Sequence, residues 1–165
     1  MADILSPAER SVRMSAIRSK NTKPEVRLRR ALFALGLRFR LHVRNLPGAP
    51  DLVFRRFGVL VNVRGCFWHQ HHCRDGHIPH SRRNYWVPKL KRNVQRDVQR
   101  TAELRSLGWR EIVVWECEIR SQKKLERMAS RVAKRIRRVC TVPIYSTNSK
   151  HAARNQQVRF LKTRS

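Results

Sequence analysis

The chain predicts an α/β domain, a mixed β-sheet flanked by helices, and three observations carry that expectation. Segments with helical spacing and segments with strand alternation interleave in the order helix, helix, strands, helix, strand, helix. The 165 residues suffice for one domain with a proper core and are short for two. A hydrophobic fraction of 41% belongs to a folded chain rather than a disordered one.

Residues 6–19 read as a short basic helix carrying Val12, Met14 and Ile17. Thr22 to Glu25 matches the capping-box pattern, and Pro24 is tolerated in a first helical turn. Val26, Leu28, Leu32 and Leu35 follow at helical spacing, and Gly36 is placed to end that helix. Leu37, Phe39 and Leu41 alternate with polar residues as in a half-buried strand, and the turn-like segment LPGAP leads to Asp51. Residues 52–54 and 59–63 predict a hairpin turning around Gly58. From Arg64 to about Arg83 there is no periodicity, yet Cys and His residues argue for an ordered, metal-tied loop. A helix from Trp86 to Leu107 places Leu90, Val94 and Val98 on one face, and Gly108 ends it. A strand around Ile112–Trp115 and a basic amphipathic helix over 121–139 complete the domain, set at 1–140. The segment 141–165 holds five basic residues and no carboxylate, and reads as a flexible basic tail suited to non-specific phosphate contact.

The charge narrows the function. With 38 basic and 11 acidic residues the formal charge is +27, which calls for a polyanionic partner, nucleic acid first. A membrane is disfavoured because no apolar run approaches the ~18 residues of a spanning helix. The N-terminus lacks the apolar region of a secretory signal, so a reducing, intracellular setting is expected. In that setting four cysteines, two crowded among histidines, point to a metal before a disulfide framework.

The stretch GCFWHQHHC (65–73) concentrates the chemistry. Zinc prefers thiolate and imidazole in a tetrahedral shell, and Cys66, His71 and Cys73 are spaced to close on one ion. His69 and His72 compete for that role. Cys117, just past a predicted strand, is the favoured fourth ligand, with Cys140 as its rival. A four-ligand shell is closed and structural, so the reaction must lie elsewhere.

Phosphodiester cleavage needs carboxylates to hold Mg²⁺ and a base near neutral pKa. Glu25, Asp51 and Asp97 stand out by position, each with an ordinary alternative: a capping residue, a turn residue and a helix ion pair. His69 suits the base if His71 binds zinc, which requires a kink between them. Phe67 and Trp68, with Tyr85 and Trp86 at the far end of the loop, either stack on bases or pack beside the metal. For Trp109 and Trp115 the core is favoured.

GCFWHQHHC, PGAPDLVF, NYWVPKLKRNVQRD and LGWREIVVWEC together, spanning about Ser11 to Ile136, resemble the very-short-patch repair (Vsr) mismatch endonucleases. The resemblance implies a fold related to type II restriction endonucleases and a Mg²⁺-dependent nick beside the thymine of a T:G mismatch. Such mismatches arise when 5-methylcytosine deaminates, so a cytosine methyltransferase is the usual companion. It assigns Asp51 to magnesium, His69 to the general base, and Glu25 and Asp97 to the outer shell of the site. Cys66, His71, Cys73 and Cys117 match the zinc ligands, and Phe67, Trp68 and Trp86 the aromatic wedge that enters the duplex. Arg64 departs from the pattern, standing where many members have a histidine or an acidic residue. It can neither accept a proton nor bind a cation, but it can contact the scissile phosphate. Val63 can still offer its carbonyl to magnesium. The expected partner is double-stranded DNA with a T:G mismatch, together with mismatch-repair proteins, in the bacterial cytoplasm at the nucleoid. A monomer is expected because one nick needs one active site. The alternative that Arg64 raises is a zinc-stapled DNA-binding module without catalysis.

Overall fold

The computed structural model describes residues 5–16 and 20–139. Helices α1 (Pro7–Ala16) and α2 (Lys23–Ala34) precede strands β1 (Arg40–Leu41), β2 (Leu52–Phe54) and β3 (Val59–Arg64). Helix α3 (Arg83–Ser106), strand β4 (Arg110–Trp115) and helix α4 (Gln122–Arg138) follow. The strands form one mixed sheet in the order β1-β2-β3-β4, antiparallel up to β3 and parallel between β3 and β4. The α/β class and the 52–54/59–63 hairpin therefore stand as expected. No described helix is long and apolar enough to cross a membrane.

Helices cover both faces of the sheet, which explains the unbroken apolar run at the start of β3. Leu52, Phe54, Val59, Val61, Ile112 and Val114 face α2 and α4, where Leu28, Leu32, Leu125, Val132 and Ile136 complete the larger core. Val53 and Leu60 point the other way, toward Leu104 of α3 and Trp109. Phe54 and Leu60 are fully buried, and each such side chain contributes about 1.5–3 kcal/mol. Ser121 caps α4 by accepting the Lys124 N–H at 3.3 Å. Arg27 of α2 donates to the carbonyls of Ile119 and Arg120 at 2.9 and 2.8 Å, tying that helix to the turn after β4.

Several local expectations change. β1 is only two residues long, with Arg40 and Leu41 pairing Val53 and Leu52. Helix α3 begins at Arg83 rather than Trp86, so Pro88 falls in its second turn and the Asn84 carbonyl loses its usual i+4 donor. The buried face of α3 is Trp86, Leu90, Asp97 and Leu104, whereas Val98 is 66% exposed. A polar residue, Asp97, takes the inward position that the apolar pattern assigned to Val98. Val12 of α1 is likewise exposed. The 64–83 loop is ordered, with a short 3-10 turn at Arg74–Gly76. Ile17, Cys140 and the tail 141–165 lie outside the described residues.

Candidate active site and metal centre

The row of residues facing α3 changes character along the sheet. Val53 and Leu60 are apolar, but Asp51, Asn62, Arg64 and Glu111 continue the same face and are polar. There the sheet and α3 part around a cavity of about 580 Å³, lined by Asp51, Val63, Arg64, His69, Asp97 and Glu111 among others.

Asp51 is positioned by its own hairpin. The Val63 N–H donates to Asp51 Oδ2 at 2.8 Å, and the Asp51 N–H donates to Asn62 Oδ1 at 3.2 Å. Burial pushes the Asp51 carboxyl up to about 6, against the Val63 hydrogen bond, and the neighbouring Glu25 adds to the rise. Asn62 in turn donates to Glu111 Oε1 at 2.8 Å.

His69 Nδ1 is hydrogen-bonded to Asp97 Oδ2, which fixes the ring. Burial pushes the Asp97 carboxyl up, but the His69 hydrogen bond and the Arg64 and Arg100 charges outweigh it, leaving Asp97 below its ordinary value. Arg64 is held from two sides, by Glu111 Oε1 at 2.9 Å and Asp97 Oδ2 at 3.6 Å. It is a fixed cation on the cavity wall.

The kink that His69 and His71 require is Gln70, whose φ of 51° puts it in the left-handed region. The His71 N–H closes back on the Cys66 carbonyl at 3.0 Å, sending the two histidine side chains to different sites. Cys66, His71, Cys73 and Cys117 bring one donor atom each to within 4.8 Å of one another. Trp115, expected in the core, is instead half-buried and stacked on the His71 ring at 4.2 Å. Gly76 cannot carry a side chain, since a Cβ there would lie 1.7 Å from the His71 carbonyl oxygen. His71 draws the Cys73 thiol down to about 7, while burial pushes Cys66 up to about 12 and raises Cys117. Three sulfurs so close cannot all ionise without a cation, which fits a metal-binding donor set. His72 is exposed and outside this group.

Phe67, Trp68 and Trp86 pack as one cluster, with Phe67 centroids 5.0 Å from Trp68 and 5.2 Å from Trp86. Trp86 is only 5% exposed, so Phe67 and Trp68 form the outer part. Lys89 Nζ lies 5.8 Å from both the Trp68 and Trp86 rings, placing a cation beside that surface.

A second donor group joins Glu25, His42 and Asp51, again within 4.8 Å of one another. Glu25 is 2% exposed and uses Oε2 to accept the Thr22 N–H at 3.4 Å, so the capping reading and a site reading apply to different oxygens.

Residues 2–75 match the sequence pattern described as DNA mismatch endonuclease Vsr. A DNA mismatch endonuclease Vsr from Escherichia coli K12 is 42% identical over 125 residues, which cover 76% of this chain and 80% of that protein. The chain belongs to the Vsr family. A type II nicking enzyme, V.XorIIP of Xanthomonas oryzae pv. oryzae, is 48% identical over 126 residues, covering 76% of this chain and 93% of the relative. V.NmeAIP of Neisseria meningitidis is 39% identical over 137 residues, with 83% and 98% covered. The protein is thus a DNA mismatch endonuclease, a hydrolase acting on DNA.

Two further residues stand among these groups. Glu111, which no sequence motif singles out, pairs with Arg64 on the cavity wall. His42, just past β1, joins Glu25 and Asp51. Its one local signal is residue type, since His tolerates the left-handed backbone (φ 45°) found there.

Proposed function

We propose that this Vsr-family endonuclease nicks duplex DNA beside the thymine of a T:G mismatch, with Asp51, the Val63 carbonyl and His69 at the reacting phosphate. The carrying observation is that one cavity brings together Asp51, bonded to the Val63 backbone, and the His69–Asp97 pair. With Nδ1 held by Asp97, His69 Nε2 is the nitrogen left to take a proton from the attacking water. Asp51 and the Val63 carbonyl would hold a divalent cation, magnesium in this reading, which would supply positive charge beside the scissile phosphate and a more acidic bound water. Glu25 supports the site from behind Asp51. Arg64, clamped by Glu111 and Asp97, presents its free guanidinium edge to the phosphate, which replaces an extra ligand by a fixed positive charge.

The Cys66–His71–Cys73–Cys117 group is a structural zinc site in this reading. It pins the 65–73 turn to the end of β4, holding His69 and the aromatic cluster in place. Phe67 and Trp68 are the leading edge of the wedge that enters the base stack, and buried Trp86 is its buttress. The hairpin-plus-parallel-strand sheet with Asp51 at its first turn supports a type II restriction-endonuclease-like fold. The protein acts as a monomer, since one strand is cut.

The test is nicking of a T:G duplex with Mg²⁺, comparing wild type with Asp51→Ala. The variant should lose about 10³-fold in cleavage while binding the mismatch nearly as well. An unchanged rate in Asp51→Ala would remove this site from the chemistry.

A further inference from the structure

Each carboxylate beside His42 commits one oxygen to a backbone N–H and turns the other toward the imidazole. Glu25 Oε2 accepts from Thr22, and Oε1 lies 3.2 Å from His42 Nε2. Asp51 Oδ2 accepts from Val63, and Oδ1 lies 4.0 Å from His42 Nδ1. Glu25 Oε1 and both His42 ring nitrogens are buried and, among the described residues, lack any hydrogen-bond partner. Arg29 Nη1 approaches the same Glu25 oxygen only to 3.8 Å, beyond hydrogen-bond reach. Glu25 Oε1 and His42 Nε2 stand at ion-pair distance without hydrogen-bond geometry, an arrangement that a cation held between them would satisfy. The three residues come from α2, the turn after β1 and the start of β2, so the convergence is a product of the fold.

We propose that His42 is a third metal ligand beside Glu25 and Asp51, so that the divalent-cation site favours Mn²⁺ over Mg²⁺. Magnesium is a hard ion that takes oxygen and keeps its waters, whereas manganese and the later divalent ions accept imidazole readily. An oxygen-only site at Asp51 and Val63 also accepts Mn²⁺, so coordination by the imidazole nitrogen is what marks His42 as a ligand. The inference rests on the reading of Asp51 as the catalytic metal ligand and adds the nitrogen donor that selects the ion.

The experiment uses the zinc-loaded full-length protein titrated with Mn²⁺ and followed by electron paramagnetic resonance, with Mg²⁺ as competitor. Pulsed measurements on bound Mn²⁺ in the wild type report directly whether an imidazole ¹⁴N is coordinated, and need no variant. Nitrogen modulation is expected, and Mn²⁺ should bind at least about tenfold more tightly than Mg²⁺. His42→Asn removes the imidazole while suiting the positive φ. It should abolish the modulation and weaken Mn²⁺ about tenfold, with Mg²⁺ affinity changed less than about threefold. Mn²⁺ that binds in an Asp51-dependent way but without nitrogen modulation, or with modulation surviving His42→Asn, overturns the role of His42 and leaves Asp51 standing. Mn²⁺ binding that is indifferent to Asp51→Asn overturns both.

Discussion

The two donor groups of this molecule differ in how they are built. Cys66, His71 and Cys73 come from a single tight turn and need only Cys117 from a distant strand end. Glu25, His42 and Asp51 come from three separate elements, and none is nearer than nine positions to another. The first has soft sulfur donors and a tryptophan stacked on its histidine; the second has hard oxygens and an imidazole, with Asp51 on the wall of the cavity. A closed soft site staples a fold, whereas an open hard site can meet a phosphate. The difference in chemistry implies a division of labour between holding and cutting.

Breaking the staple should have the largest effect. Cys117→Ser should eliminate metal binding by this group, zinc in the proposed reading, and lower the melting temperature by on the order of 10 °C or more, measured by elemental analysis and thermal unfolding. Gly76→Ala should act in the same direction through the His71 carbonyl, with partial zinc loss. An unchanged melting temperature in Cys117→Ser would mean the staple is not structural.

The aromatic cluster, between the two groups, separates packing from contact. Trp86→Ala should cost about 3 kcal/mol of stability in denaturant unfolding, because Trp86 is buried. Trp68→Ala should cost little stability but about 1–3 kcal/mol in mismatch affinity, measured by titration against a T:G duplex. Reversal of these two phenotypes would exchange the roles of wedge and buttress.

The proposed cutting site can be sharpened through pH. Asp51 titrates near 6 in the folded protein against an ordinary value of 3.8, so the folded state binds its proton more tightly. With zinc retained and no other cation added, that contribution is complete below about pH 4. It is lost as pH rises through 6, lowering stability by up to about 3 kcal/mol. Asp51→Asn should flatten this slope in denaturant unfolding at pH 4 to 8. The smallest effect concerns Arg64: Arg64→Ala should reduce nicking roughly tenfold, about 1.4 kcal/mol, with the metal affinity unchanged. A faster variant would show that Arg64 restrains the reaction.

The contrast also explains what could be read from the residues alone. The thiol group was legible because three of its donors share nine residues and thiolates beside an imidazole suit a thiophilic ion. His69 was separable from His71 only on the condition of a kink, which Gln70 supplies. His42 was invisible because nothing local links it to Glu25 or Asp51; only packing of α2 against the sheet brings them together. Val98 misled because helical periodicity cannot distinguish an inward valine from an inward aspartate when the cavity itself is polar. β1 is shorter than the alternation of Leu37, Phe39 and Leu41 suggests, since alternation shows which face a residue takes and not whether its backbone is paired.

The most direct test of the division between the two groups measures metal content and T:G nicking on the same sample, before and after EDTA. The account predicts that one tightly held zinc remains, nicking stops, and added Mg²⁺ or Mn²⁺ restores it. Nicking that continues with zinc alone, or that returns only when zinc is added back, would contradict it.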